Sequence, residues 1–335
     1  SVAFNHLLIG NTCDKAYCIY FEAIHPQRVK TTNTQIVFFH SKMHSYARVN
    51  MESTLFFILG ILRFSLATEN FHWGYHGDSG PSYWAQHFKG CAGNRQSPID
   101  IAREDAEYAE HLGFIRFYGY GDVRVHTLKN NGHSLQVDVS GDSYIRGGGL
   151  GGLYKVTQFH FHWGRTSDRG SEHTFDGTAY PMEMHIVHYK TEYGSINEAL
   201  NKSDGLAVLG FMFKVSLVGS VIFEKFLKKL SDVQYSGLST DTWPMRLEDM
   251  LPVYWQNMRY LRYKGSLTTP PCTEAVIWTV FTKPIYITQQ QLQQFRKLYS
   301  NEKSFETYKH ISDNFRPVQP LNNRRILRNF KYWLL

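Results

Sequence analysis

The chain has 335 residues, of which 42% are hydrophobic and 15% aromatic, enough for a large core in one or two domains. That composition excludes disordered, collagenous and coiled-coil classes. The formal charge of +7 raises nucleic-acid binding, but the densest basic cluster, "NNRRILR" at 322–328, sits in no DNA- or RNA-binding motif, so no nucleic-acid partner is expected.

Residues 51–67, "MESTLFFILGILRFSLA", carry an apolar run from Leu55 to Leu62, then Ser65-Leu66-Ala67. The run is far short of the about 20 apolar residues that span a bilayer. Small residues at Ser65 and Ala67 match a secretory cleavage site, so 51–67 reads as a signal peptide cut after Ala67, although Glu52 stands where a positive charge is expected. Residues 1–50 begin with Ser1 and hold no motif. They read as an upstream translation or gene-model extension. The alternative is a genuine, poorly ordered extension, with the apolar run as a buried helix. Localisation is expected to be secreted and extracellular.

Cleavage would leave residues 68–335 as one domain. Residues 1–67 hold 6 Lys+Arg and 3 Asp+Glu, so 30 basic and 26 acidic residues remain, a charge of +4. Of Cys13, Cys18, Cys91 and Cys272, only the last two are kept. In a secreted domain the expectation is a Cys91–Cys272 disulfide, which spacing by itself does not establish. Closing so long a loop contributes about 4–5 kcal/mol in the chain-entropy picture. Asn201 of "NKS" is a glycosylation acceptor. The C-terminal "FKYWLL" is too short for a span and lacks the long tail of a lipid-anchor signal.

Within 68–335, strand-like runs come in the order "SLQVDVS", "YKVTQFHFHWG", "PMEMHIVHYK", "GLAVLGFMFKVS" and "AVIWTVFTKPI", punctuated by Gly, Pro, Asn and Asp. Helical signals are fewer: "SINEALNK", "VIFEKFLKKL" and "TQQQLQQFRKLY". There is no internal linker or repeat. The fold class is mainly β (α+β), with peripheral short helices.

The stretch "QFHFHWG" at 158–164 is the most informative. On a strand, side chains alternate faces, so Gln158, His160 and His162 share one and Phe159, Phe161 and Trp163 the other. The aromatic face is core. The polar face needs partners, because buried polar groups are costly when unpaired. In "PMEMHIVHYK", Glu183, His185, Val187 and Tyr189 share a face, opposite Met182, Met184, Ile186 and His188. If the strands are neighbours, His160, His162 and His185 converge. Three histidines with one open position make a catalytic zinc site, whereas a structural one is closed. No H-E-x-x-H is present, so metalloprotease chemistry gains no support. Gln158 and Glu183 each precede a histidine by two on the same face, where they can accept the ring's other N–H.

The motifs "RQSPIDI", "NNGH", "QFHFHWG", "GSEHT", "MHIVH", "DGLAVLG" and "SLTTPPCTE" together resemble the α-type carbonic anhydrases over roughly residues 71–330. The resemblance implies a central, mostly antiparallel ten-stranded sheet, a conical active site, and reversible hydration of carbon dioxide to bicarbonate and a proton. By it, His160, His162 and His185 would hold Zn2+. Thr268 would accept a hydrogen bond from zinc-bound hydroxide and donate one to Glu172. Zinc lowers the pKa of its water to about 7, a value established for carbonic anhydrase itself. Val187, Val208, Leu267 and Trp278 would form an apolar wall for carbon dioxide. Tyr75, Asn131, His133, Gln136 and Thr269 would form the wet wall. Carbon dioxide, water and bicarbonate are the expected partners, with no obligate protein partner. Esterase activity on activated esters is an expected side reaction.

His133 is the expected proton shuttle. Release of a proton directly to water, at a diffusional rate of about 10¹⁰ M⁻¹s⁻¹ and an acid constant of about 10⁻⁷ M, is limited to roughly 10³ s⁻¹. A fast enzyme of this class reaches about 10⁶ s⁻¹ and needs an intermediate base. An imidazole, with a pKa of about 6.5, suits the task. Two other readings are weaker. A non-catalytic binding relative would lack a zinc histidine, and a mineral-matrix protein would carry acidic repeats; neither feature is found in this sequence.

Overall fold

The computed structural model describes residues 71–335, apart from 253–254, 305–306 and 333–335. The signal peptide and the extension expected in 1–67 lie outside the described residues. Fourteen strands are described: β1 (Asp100–Ile101), β2 (Glu107–Tyr108), β3 (Ile115–Tyr118), β4 (Thr127–Asn130), β5 (Leu135–Asp138), β6 (Tyr144–Gly147), β7 (Tyr154–Trp163), β8 (Thr174–Phe175), β9 (Met182–Lys190), β10 (Leu206–Val215), β11 (Ser239–Asp241), β12 (Tyr260–Gly265), β13 (Val276–Ile287) and β14 (Leu327–Arg328).

One large sheet follows the order β11-β4-β5-β7-β9-β10-β13-β12-β14-β2, a path of ten strands, with β3 and β6 branching from β7. Most pairs are antiparallel; β10–β13 and β14–β2 are parallel. β1 and β8 form a separate two-stranded ribbon. The fold class is thus as expected: a mainly β domain whose helices among the described residues, Pro81–His87, Ile196–Ala199, Val221–Leu227 and Gln289–Phe295, are short and peripheral.

The five strand-like runs each hold a strand. Three of these helices begin at side-chain caps, Ser195, Ser220 and Thr288. Thr288 Oγ1 accepts from the Gln291 N–H, and the Gln291 side chain returns a bond to the Thr288 N–H, a capping box. β12 was not among the expected runs, because Arg262 interrupts its apolar pattern. That guanidinium is buried and satisfied, donating to Thr279 Oγ1 on β13 and to the Gly148 carbonyl.

Alternation along β7 and β9 sorts the core into two. Phe159, Phe161, Trp163, Met184 and Ile186 join one large aromatic cluster. Val187, Val208, Leu261, Tyr263 and Trp278 form a second on the opposite face. His160, His162 and His185 share the second face, so the sheet itself separates the main core from the site.

Candidate metal centre

β5, β7 and β9 lie side by side, and their register sets Gln136 opposite His160 and His160 opposite His185. Directly opposed residues hold their Cβ atoms about 5 Å apart, so these two histidines meet by strand pairing alone. His162, two residues along the same face, completes the group. One ring nitrogen from each of the three lies within 4.8 Å of the others. Ring centroids are 5.1 Å (His160–His162), 5.3 Å (His160–His185) and 4.6 Å (His162–His185) apart.

The outer nitrogen of each ring is engaged. His160 Nδ1 donates to Gln158 Oε1 at 2.8 Å, His162 Nδ1 to the Asn314 carbonyl at 2.7 Å, and His185 Nε2 to Glu183 Oε1 at 2.7 Å. Carbonyl and carboxylate oxygens only accept, so the outer nitrogens carry the hydrogens and the inner ones hold lone pairs when the rings are neutral. Burial, with repulsion from His162 and His185, holds His160 well below the ordinary imidazole range, and burial also lowers His162. The 3.1 Å approach of His162 Nε2 to His185 Nδ1 therefore sets lone pair against lone pair. Three lone pairs aimed at one point suit a cation, and three neutral imidazoles suit zinc.

Glu172 faces the same point. Its Oε1 accepts from the Arg316 N–H at 2.8 Å. Its Oε2 is buried, 3.5 Å from His162 Nε2 and 3.8 Å from His185 Nδ1, with no hydrogen-bond partner among the described residues. Thr268 is buried in the loop between β12 and β13, and it does not donate to that oxygen here. The loop is pinned by bonds from the Leu267 N–H to the Thr273 carbonyl and from the Cys272 N–H to the Thr269 carbonyl. The Cys91–Cys272 disulfide ties it to the N-terminal segment, as expected from the cysteine count.

Glu183 is the hub behind the imidazoles. Its Oε1 accepts from His185 Nε2 and His173 Nδ1, its Oε2 from the Glu172 and His173 N–H groups. Burial alone would push this carboxyl up, but attraction to His173 and His185 and their hydrogen bonds hold it well below the usual range. His173, Glu183 and His185 are close enough to ligate a second ion. Both Glu183 oxygens already accept two hydrogen bonds each and His173 Nε2 meets the Tyr263 hydroxyl, so these groups act to orient His185.

The four residues expected to form the apolar wall come together. Val208 lies opposite Val187 on one side and Trp278 on the other, and Leu267 packs against the same cluster. The Trp278 ring lies 4.7 Å from that of His185. On the wet side, Asn131 Nδ2 donates to Gln136 Oε1 at 3.1 Å, and Asn131 Oδ1 accepts from the His133 and Ser134 N–H groups. Tyr75 packs edge-on against Trp73 and Trp84, and its hydroxyl pKa is raised by burial and by the Glu172 charge. The half-buried His133 ring stacks on Trp73 at 3.8 Å, and burial with the nearby His72 lowers its pKa. Asn201 is exposed.

Asn314, Arg316, His173 and Gly210 were not expected at the site. Asn314 holds His162 through its carbonyl, the Trp163 N–H through Oδ1 and the His133 carbonyl through Nδ2. A Cβ at Gly210, directly opposite His185, would sit 3.0 Å from Glu183 Oε1. A glycine inside a strand pattern such as "VLGFM" marks such a close approach, and is the one sequence signal that could have found it.

Comparison with known proteins agrees with this geometry. The eukaryotic-type carbonic anhydrase family pattern matches residues 79–330. Carbonic anhydrase 4 of Oryctolagus cuniculus is 39% identical over 278 residues, covering 81% of this chain and 88% of that protein. Carbonic anhydrase 4 of Rattus norvegicus is 37% identical over 281 residues, covering 81% and 89%. On this match, spanning most of both chains, the protein belongs to the eukaryotic-type carbonic anhydrases.

Proposed function

We propose that this carbonic anhydrase works as a secreted zinc enzyme with His160, His162 and His185 as its ligands. The observation that carries the reading is the convergence of three imidazole lone pairs, each fixed by an acceptor on its far side. Bound zinc supplies hydroxide at neutral pH by lowering the pKa of water to about 7, as established for carbonic anhydrase.

The chain's own residues do the rest. Gln158, Glu183 and the Asn314 carbonyl fix ring orientation and tautomer. The unpartnered Glu172 Oε2 offers an acceptor to the Thr268 hydroxyl, which in turn orients the attacking oxygen. Val187, Val208, Leu267 and Trp278 offer carbon dioxide an apolar surface that water wets poorly. Thr269 and the Asn131–Gln136 pair offer polar groups to water and bicarbonate. His133 carries the proton outward. The same nucleophile accounts for a side activity on activated esters.

Zinc content and carbon dioxide hydration of the full chain, measured before chelation, after it and after zinc is restored, test the reading. Loss and recovery together are expected; hydration that persists in metal-free protein would overturn it.

Secretion is part of the same proposal: cleavage after Ala67, a domain of 68–335, and glycosylation at the exposed Asn201. No helix among the described residues is long and apolar enough to cross a membrane. Intact-mass analysis of secreted material reads the cleavage and glycosylation; an N-terminus other than Thr68 refutes the cleavage site.

A further inference from the structure

We propose that a cleft lined by His76, Arg165, Arg296, Lys309 and His310 binds a sulfate- or phosphate-type oxyanion, at a site separate from the metal centre. The cleft is open, about 550 Å³ in volume, and no carboxylate is among its lining residues, which also include Gln293 and Ser312.

Arg296 carries the argument. It is half-buried, and its partners are neutral: Nε donates to the Gly164 carbonyl at 2.8 Å and Nη2 to Ser167 Oγ at 3.2 Å. No carboxylate lies within ion-pair distance of it among the described residues. Partly desolvating a cation that has no carboxylate in contact is costly: burial lowers its pKa, and the more distant Asp313 charge offsets this only in part.

The nearest neutralising group on the rim, Asp313, is already committed. It pairs with Arg169 at 2.9 Å, lies 4.0 Å from Arg165 Nε, and accepts from the Arg165 N–H. The exposed Asp168 faces Thr166 and Arg169. Arg296 and Lys309 are left facing one opening with no carboxylate in ion-pair contact. Arg165 has only the long contact with Asp313 to offset it. A tetrahedral oxyanion supplies the missing charge and can accept from several of these donors at once.

The segment behind the cleft gives it position. His76 Nε2 meets the Ser312 carbonyl at 3.0 Å, and Asn314, two residues on, holds His162. The site is thus built on a stretch of chain that the metal centre also fixes.

The test is calorimetric titration of the full zinc-loaded chain at low ionic strength with inorganic sulfate, inorganic phosphate and a sulfated hexasaccharide. The double variant Arg165→Glu/Lys309→Glu should weaken binding about tenfold or more, as reversing complementary charges does. A control, Lys225→Glu/Lys228→Glu on a helix outside the cleft, should leave it nearly unchanged. Unaltered carbon dioxide hydration in both variants confirms folding. If the free ions respond, the ligand is a free oxyanion; if only the hexasaccharide does, it is chain-borne; either supports the cleft. Equal binding by wild type and the cleft variant, or equal loss in the control, overturns the proposal.

Discussion

His160 lies directly opposite His185 across the β7–β9 ladder, while His162 lies opposite Glu183, the acceptor that orients His185. The three imidazoles and one of their acceptors are thus built into a single strand pairing. The strand ladder fixes where the three side chains start, and one acceptor behind each ring fixes how it is turned.

This arrangement predicts the outcome of His185→Ala. The neighbouring His173 is committed to Glu183 and Tyr263, and His188 points into the opposite core, where Tyr120 and Ala207 hold it. Losing groups that merely support a ligand costs about 10–100-fold in metal affinity, so loss of the ligand should exceed about 100-fold. Zinc stoichiometry and carbon dioxide hydration should fall together. A variant with full zinc and near-normal activity sinks the ligand assignment.

His133→Ala should separate proton export from catalysis. Turnover in weak buffer should fall toward the roughly 10³ s⁻¹ set by direct release to water, while kcat/KM is spared. Added imidazole should restore much of the loss. Unchanged turnover in weak buffer would make His133 a loop residue stacked on Trp73 and nothing more.

His188 should govern part of the acid sensitivity. Its Nδ1 donates to the Ala207 carbonyl at 3.1 Å and its Nε2 accepts from the Tyr120 hydroxyl at 2.6 Å. Burial pushes its pKa down to about 3. The unfolded chain, with an imidazole pKa of about 6.5, therefore takes the proton first. This contribution is intact above about pH 6.5 and is lost progressively toward pH 3, amounting to roughly 4–5 kcal/mol. In His188→Gln, the dependence of unfolding free energy on pH between 4 and 6 should flatten by about one proton. An unaltered slope refutes the assignment.

Reduction should destabilise the domain strongly. Cys91 and Cys272 are 181 residues apart, and closing a loop of that length contributes about 5 kcal/mol in the chain-entropy model, as an upper figure. Equilibrium unfolding with and without reductant, or in Cys91→Ser/Cys272→Ser, measures it. Free thiols in freshly purified oxidised protein would contradict the bridge.

Much of the site was legible because strand alternation is a local rule. "QFHFHWG" and "PMEMHIVHYK" sort the histidines, their acceptors and the core residues onto two faces by parity alone, and the structure keeps that sorting. Arg262 shows where the rule fails. A charged residue at a buried strand position hides β12 from pattern reading, since the partners that make it tolerable, Gly148 and Thr279, come from other strands and turns.

What the sequence by itself determined is the chemistry of the face: which imidazoles point together, which groups stand two residues behind them, and which family the motifs resemble. What only the tertiary structure decided is how the face is completed from far along the chain. The Asn314 carbonyl fixes His162 across 152 residues, and the Arg316 N–H holds Glu172 across 144. Both are backbone groups, which every residue except proline carries alike, so no side-chain pattern announces them. Their role comes from where the folded chain places them, against a buried imidazole and a buried carboxylate that water can no longer satisfy.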